Sequence, residues 1–254
     1  MGVKISFVIP AYNEEKLIGR CIESVQKECA RLPARTGGNY DAEIIVVNNA
    51  STDGTREAAS AFPGVRVVDE PKKGITRARQ AGYLASSGDL IANIDADTML
   101  PDGWLRVVFE EFARDPKLVA LSGPFIYYDL SAWDRALVRC FLTFGFLMHL
   151  FNENVLRVGA FLQGGNFVLR REALGKAGGF DTNIEFYGED TDIARRMSKV
   201  GRVKWTFRLP MYTSGRRLKE EGVVRMGWRY AMNFLSTTYS GKPVTKTYID
   251  VRSG

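Results

Sequence analysis

The first 125 residues alternate apolar, β-branched runs with stretches of helical periodicity, and this alternation restricts the fold more than any other feature. "VKISFVIP", "AEIIVVNN", "VRVVDE", "DLIANIDAD" and "KLVALSGPFIYYD" read as strands. Between them, "EEKLIGRCIESVQKECARL" spaces Leu17, Ile18, Cys21, Ile22 and Val25 along one helical face. "STDGTREAASAF" opens on capping residues, "GITRARQAGYLASSG" closes on Gly88, and "LPDGWLRVVFEEFARD" has Pro101 near its start, so each reads as a helix. This β-α-β-α order implies an α/β chain with a mostly parallel sheet flanked by helices. Ligands bind such sheets beyond the carboxyl ends of the strands. Ala11, Tyr12, Asn13 and Glu14 fall at those ends, as do Asn48, Asn49, Asp95 and Asp97, so polar groups converge on one rim.

The second half is less regular. "GAFLQGGNFVLRREAL" reads as a strand entering a helix, "GEDTDIARRMSKVG" as a capped helix ending at Gly201, and "RVKWTF" as a strand; the last forty residues are basic and aromatic. "RALVRCFLTFGFLMHLF" (135–151) is the most apolar stretch, interrupted by Arg135, Arg139 and His149. As a helix it would be about 25 Å long, short of a bilayer core. It reads as a buried helix or as an interfacial one with Arg135 and Arg139 at lipid headgroups. His149 is expected to be packed or interfacial. The N-terminus reads as a strand and not a signal peptide. Cys21, Cys29 and Cys140 fit neither a zinc site nor a redox pair and are expected to be buried thiols in a reducing compartment. The net charge is +6, but residues 195–229 hold eleven Lys or Arg against two acids, which leaves the rest slightly acidic. Such a zone suits an anionic partner or is a solvated face. No recognised nucleic-acid-binding motif accompanies it.

"DLIANIDAD" ends on Asp95 and Asp97. At i and i+2 on an extended strand two side chains point the same way. Two carboxylates there suit a hard cation, Mg²⁺ or Mn²⁺, shared with substrate phosphates; the alternative is a helix-capping pair leading into "TMLPDGW". A phosphate-binding loop of the GxxxxGK[ST] type, a GxGxxG after the first strand and a nucleophile elbow are all absent. His149 lies in the apolar segment, so a Ser-His-Asp triad has no support. Carboxylate and metal chemistry on a phosphate-bearing substrate remains.

"FVIPAYNEE", "VVNNASTDGT", "GITRARQAG", "DADTMLP" and "GGFD…GEDTDIARR" occur in the order seen in family 2 glycosyltransferases, and the chain resembles that family over roughly residues 3–205. The resemblance implies a GT-A fold: a Rossmann-like, mostly parallel sheet with a smaller acceptor-side lobe. Residues 1–125 would be the nucleotide-sugar-binding half and 126–254 the acceptor-binding half of one continuous domain. Pro10, Ala11, Tyr12 and Glu14 look like the first nucleotide-contacting loop. Asn49 stands where the family commonly has an Asp on the uracil ring, Asp53 belongs to the same motif, and Arg77 and Arg79 lie in the helix facing the nucleotide. Asp95 corresponds to the ribose-side aspartate, Asp97 to the metal ligand, and Asp190 to the catalytic base with Glu189 beside it. Gly164, Gly165 and Asn166 resemble the acceptor-side wall.

The implied enzyme is a cytoplasm-facing, metal-dependent, inverting glycosyltransferase. It would use a nucleotide-diphosphate sugar, with a UDP-sugar expected first, and a saccharide or polyprenyl-linked acceptor. Peripheral contact with an anionic membrane at its inner face is expected and nucleic acid is not. The sequence departs from the family at Asn49 and in having no His after Asp190 to help hold metal. It lacks the Gln-x-x-Arg-Trp motif of processive synthases, which favours one sugar per encounter. "SGRR" (214–217) either joins the basic surface or closes over the donor diphosphate. A sugar-1-phosphate nucleotidyltransferase shares the general architecture, but "PAYNEE" lacks the Gly-rich, Arg-containing loop of that class. A non-catalytic sugar-nucleotide or membrane-surface binding protein is opposed by intact Asp95, Asp97 and Asp190.

Overall fold

The computed structural model describes residues 2–36, 40–151, 161–184, 187–240 and 244–245. The expected parallel sheet is present. Strands β1 (Val3–Ala11), β2 (Tyr40–Asn48), β3 (Val65–Asp69) and β4 (Leu90–Ile94) lie parallel, in the order β3-β2-β1-β4. Among the described residues the sheet continues with β8 (Asn166–Arg170), β6 (Leu118–Ser122) and β9 (Arg202–Trp205). β8 runs antiparallel to both β4 and β6 and so inserts the second half of the chain beside β4.

Alternation along the strands sorts side chains to two faces. Ile5, Phe7 and Ile9 of β1 join Ile18, Cys21, Ile22 and Val25 of α1 (Ile18–Thr36), Ala59 of α2 (Thr55–Ser60) and Trp104 to Phe112 of α4 (Trp104–Arg114). Val8, Ile45, Val47 and Ile91 face α3 (Ile75–Ala85) on the other side. There α6 (Arg171–Lys176) and α7 (Glu189–Ser198) cover Ala120, Phe167, Leu169 and Val203. The first amide groups of α4 are satisfied from α1: Glu28, almost fully buried, accepts from Gly103 N (2.9 Å) and Leu105 N (3.2 Å).

Several sequence expectations are corrected. α3 ends at Ala85, not at Gly88. Gly88 instead lies against β1, where a Cβ would press on Ser6 N at 2.7 Å. "KLVALSGPFIYYD" is not one strand. It breaks at Gly123 and Pro124 because Gly123 packs directly on the Leu209 backbone and proline has no amide to extend the ladder. The second piece, β7 (Phe125–Tyr127), joins a separate three-stranded sheet with β5 (Thr98–Met99) and β10 (Met211–Thr213), in the order β5-β10-β7.

The apolar helix α5 (Ala132–Phe151) is not a core helix. None of its described side chains is buried. It lies on the outside, with Leu137 and Val138 packed on Leu130, Leu218, Val223 and Met226 and with Phe141 against Gly227. The His149 side chain lies outside the described residues. The basic C-terminal stretch forms α8 (Arg216–Glu221) and α9 (Val223–Ser240). Cys21 is buried as expected, Cys29 is half-buried, and Cys140, on the outer side of α5, is exposed. No described helix is long and apolar enough to cross a membrane.

α3 approaches the sheet at Gly82, where a Cβ would overlap Val8 Cγ1 and come within 3.1 Å of Val47 Cγ2. A Gly→Ala change inside a helix ordinarily stabilises by about 1 kcal/mol. Here overpacking outweighs that gain, and Gly82→Ala is expected to destabilise by about 1–3 kcal/mol in urea denaturation.

Candidate active site

β4 stops at Ile94, so Asp95 and Asp97 are not consecutive outward positions of a strand. They sit in a turn closed by Thr98, whose amide and hydroxyl both donate to Asp95 O (3.1 and 2.7 Å). The turn still presents both carboxylates at the rim. Burial, and after it the charges of Asp97 and Asp95, holds the Tyr127 phenol above its ordinary range.

Arg79 is not a solvent-facing nucleotide contact. It is 1% exposed and lies over the Phe167 ring, 5.0 Å from its centroid. One guanidinium nitrogen reaches Asp95 Oδ1 at 3.3 Å and the other pairs with Glu189. The residue therefore bridges the end of β4 and the first turn of α7. Asp190, next on that turn, accepts from Gly164 N (3.2 Å) through one oxygen and from Thr191 N (2.8 Å) through the other. Burial lifts the Glu189 carboxyl to about 7 against the pull of Arg79, and Asp190 adds to the rise. Burial also raises Asp190, against the backbone amides of Thr191 and Gly164.

The glycines beside these acids have no room for side chains. At Gly165, with φ +76°, a Cβ would overlap the Asp95 carboxylate; at Gly164 it would come within 3.2 Å of Glu189 Oε1. Asn166 does not join this wall. Its side chain is fully buried, donating to Gly123 O (3.0 Å) and Leu209 O (2.9 Å) and accepting from Trp104 Nε1 (3.3 Å). It ties the large sheet to the segment before β10.

Around the β1 end, Pro10 and Ala11 are buried strand residues. Tyr12 carries Lys73 Nζ over its ring at 3.7 Å. Glu14 is 4% exposed; its amide donates to Thr55 Oγ1 (2.7 Å) and its carboxylate pairs with Arg216. The Asp53 carboxylate accepts from Thr55 N (3.0 Å) and Glu15 N (3.3 Å) and clasps two loops together. Arg77 lines a groove of about 470 Å³ with Lys72, Lys73, Thr76 and Asn183.

Asn49 departs most from its expected role. Its side chain is spent on the loop before α3, donating to Glu70 O (3.1 Å) and Lys72 O (2.8 Å) and accepting from Gly74 N (2.8 Å). An aspartate could accept from Gly74 but could donate to neither carbonyl. Aspartate and asparagine are therefore not interchangeable at this position.

Arg216, of "SGRR", turns to the rim carboxylates instead of joining the basic surface. It lies against Asp97 Oδ2 at 3.2 Å as well as against Glu14. The small sheet delivers it there: β10 pairs antiparallel with β5, Thr213 opposite Thr98, so the chain leaving β10 runs beside Asp97. Asp129 pins that chain, accepting from Gly215 N (2.5 Å) and Ser214 Oγ (3.0 Å). Among the described residues no three carboxylate, imidazole or thiol groups converge as a metal cage. Asp97 fits a shared site, in which a hard cation takes one carboxylate and completes its shell from phosphate and water. The guanidinium on Asp97 shows that the position accommodates positive charge.

Residues 6–178 match the family model described as glycosyl transferase family 2. The chain belongs to that family. A dolichyl-phosphate β-glucosyltransferase (ALG5C) of Trichomonas vaginalis is 40% identical over 102 residues, covering 37% of this chain and 29% of that protein. A chondroitin synthase of Pasteurella multocida is 29% identical over 121 residues, covering 46% of this chain and 12% of that protein. The chain thus spans well under half the length of these two relatives. Among solved structures, a mannosyltransferase of Pyrobaculum calidifontis in complex with GDP-Man and Mn²⁺ superposes with a TM-score of 0.66 at 21% identity, over 95% of this chain and 64% of that one. Glucosyl-3-phosphoglycerate synthase of Mycobacterium tuberculosis, with Mn²⁺ and UDP-glucose, gives 0.60 at 23% identity over 96% and 81%. These likenesses show a GT-A glycosyltransferase fold.

Asn49→Asp is expected to cost about 1–3 kcal/mol in chemical denaturation although it is nearly isosteric, because it turns a carboxylate oxygen toward two backbone carbonyls. Unchanged stability would remove the loop-clamp role.

Proposed function

We propose that the protein is a metal-dependent, inverting glycosyltransferase that moves one sugar per encounter from a nucleotide-diphosphate donor to a saccharide or polyprenyl-linked acceptor. Its product would enter cell-surface glycan synthesis. The rim carries this reading: Asp95 and Asp97 on the donor side and Asp190 against Gly164 on the acceptor side, locked together through Arg79 and Glu189. Neighbouring folds hold GDP-mannose or UDP-glucose with Mn²⁺, which supports a nucleotide sugar and a Mg²⁺ or Mn²⁺ ion. A UDP-sugar is the first donor to try. The dolichyl-phosphate transferase among the relatives supports a polyprenyl-linked acceptor.

A cation on Asp97 would neutralise the charge that grows on the diphosphate as the glycosidic bond breaks. Asp190 would accept the proton of the acceptor hydroxyl, and its upward shift makes it a stronger base than an ordinary aspartate. Attack from the face opposite the leaving group inverts the anomeric centre. Glu189 supports Asp190 by holding Arg79. Asp95 lies toward the ribose, with Tyr12 and Arg77 along the nucleotide side.

The proposed setting is the cytoplasmic face of a membrane. α9 turns Val224, Trp228, Met232 and Leu235 to solvent, and α5 does the same with Trp133, which is 73% exposed. The exposed cations Arg135, Arg139 and Arg225 lie on the same two helices. Apolar side chains with basic neighbours suit an anionic lipid surface.

Mn²⁺-dependent hydrolysis across a panel of nucleotide sugars, without acceptor, is expected to single out the donor; if none binds at millimolar level, the reading fails. Asp190→Asn is expected to lower transfer by about 10²–10⁴-fold while leaving donor binding intact. Loss of donor binding would take Asp190 off the base role. Flotation with anionic liposomes is expected to carry the protein upward and Trp133→Ser/Trp228→Ser to leave it behind. Equal flotation of wild type and variant would remove this face from the contact.

A further inference from the structure

The Arg216 side chain crosses from α8 to two carboxylates that belong to different parts of the rim, Glu14 after β1 and Asp97 after β4. Glu14 is almost fully buried, and the guanidinium is itself largely covered. Buried carboxylates keep their charge only beside a compensating cation. A divalent ion approaching Asp97 therefore meets a position already neutralised by the chain.

We infer that Arg216 is a built-in counter-cation that holds Asp97 until nucleotide and metal arrive together. Metal alone would have to displace the guanidinium from Asp97, leaving it Glu14 and offering it no second acceptor. A nucleoside diphosphate changes the balance, because its phosphate oxygens give the guanidinium a bidentate acceptor. Asp97 is then released to the incoming ion. Only the side chain needs to move. The backbone at residues 214–215 is pinned by Asp129, Lys219 pairs with the same carboxylate at 3.2 Å, and Gly215 is packed on Leu130. Binding of metal and nucleotide is in this way coupled through one residue, and a coupling of this kind is reciprocal. The inference rests on the proposed metal and diphosphate site, and it adds the order in which that site fills.

Mn²⁺ binding followed by electron paramagnetic resonance tests it without turnover. Wild type is expected to bind Mn²⁺ weakly alone and at least about fivefold more tightly with UDP or GDP present. Arg216→Gln is expected to bind Mn²⁺ alone more tightly than wild type by a similar factor, and to lose most of the enhancement by nucleotide. Arg216→Lys, which keeps the charge but not the fork, is expected to retain weak binding of Mn²⁺ alone. Tight binding of Mn²⁺ alone to wild type overturns the inference, and needs no variant to fold. An Arg216→Gln affinity equal to or below wild type overturns it equally. If neither nucleotide binds at all, the functional reading fails, while the comparison of wild type and variant for Mn²⁺ alone still decides the counter-cation role.

Discussion

The Arg79 guanidinium is the interaction on which the geometry of the rim depends. It comes from the middle of α3 and is enclosed between Asp95, at the end of β4, and Glu189, at the start of α7. Enclosing a cation so completely costs several kcal/mol, which its two carboxylates offset only in good geometry. The consequence is positional more than stabilising. β4 leads into Asp95 and Asp97, α7 carries Asp190, and a rigid, planar fork joins the two elements. The phenyl face of Phe167, from the antiparallel strand β8, completes the enclosure. A strand inserted beside β4 from far along the chain thus supplies both a wall for the guanidinium and, at its entry, the two glycines that leave space for the acids.

The small sheet does for Arg216 what this enclosure does for Arg79. β5 is only two residues long and begins directly after the Asp95–Asp97 turn. Its partner β10 comes from more than a hundred residues later, and a single antiparallel register decides which residue follows it alongside Asp97. Asn166 secures the approach from beneath by holding the Leu209 carbonyl just before β10. Two arginines thus reach the two aspartates, one from the core and one from the rim. The core arginine is enclosed by burial at 2% side-chain exposure; the rim arginine keeps 24% of its side chain in solvent.

The strands and the inward faces of α1, α3 and α4 were legible because period-2 and period-3.6 patterns are local. So were the rim position of the acids and the family motifs. The exact shape of the aspartate turn was not, since "DLIANIDAD" contains no breaker and the strand ends where Thr98 folds back on Asp95 O. Asn49 and Asp53 were assigned to the right corner, but the sequence did not show that Asn49 clamps the loop before α3 or that Asp53 clasps the loops at Glu15 and Thr55. Asn166 was misplaced for the same reason. The hydrogen-bonding capacity of an amide says that it will be satisfied, not by what. The capping of α4 by Glu28, the β5–β10 pairing and the grip of Asp129 all join residues distant in sequence, and no local signal marks them. α5 misled in the opposite direction. Its apolar composition suggests burial, yet it packs through one side, on α9, Leu130 and the Trp205 and Phe207 rings, and its described outer side chains lie in solvent.

Glu189 and Asp190 show why adjacent acids need not share a task. Successive residues on a helix point about 100° apart, so one turn can direct two carboxylates to different surroundings. Glu189 turns inward to a permanent cation, and its protonation state is coupled to Arg79 and through it to Asp95. Asp190 turns to the glycine wall and is held by two backbone amides, groups that orient a carboxylate without neutralising it. A base must reach the proton it takes, and Asp190 is partly exposed at the rim whereas Glu189 is buried against Arg79. On the proposed reading Asp190 is therefore the acid suited to take the proton, while Glu189, through Arg79, ties the start of α7 to the end of β4.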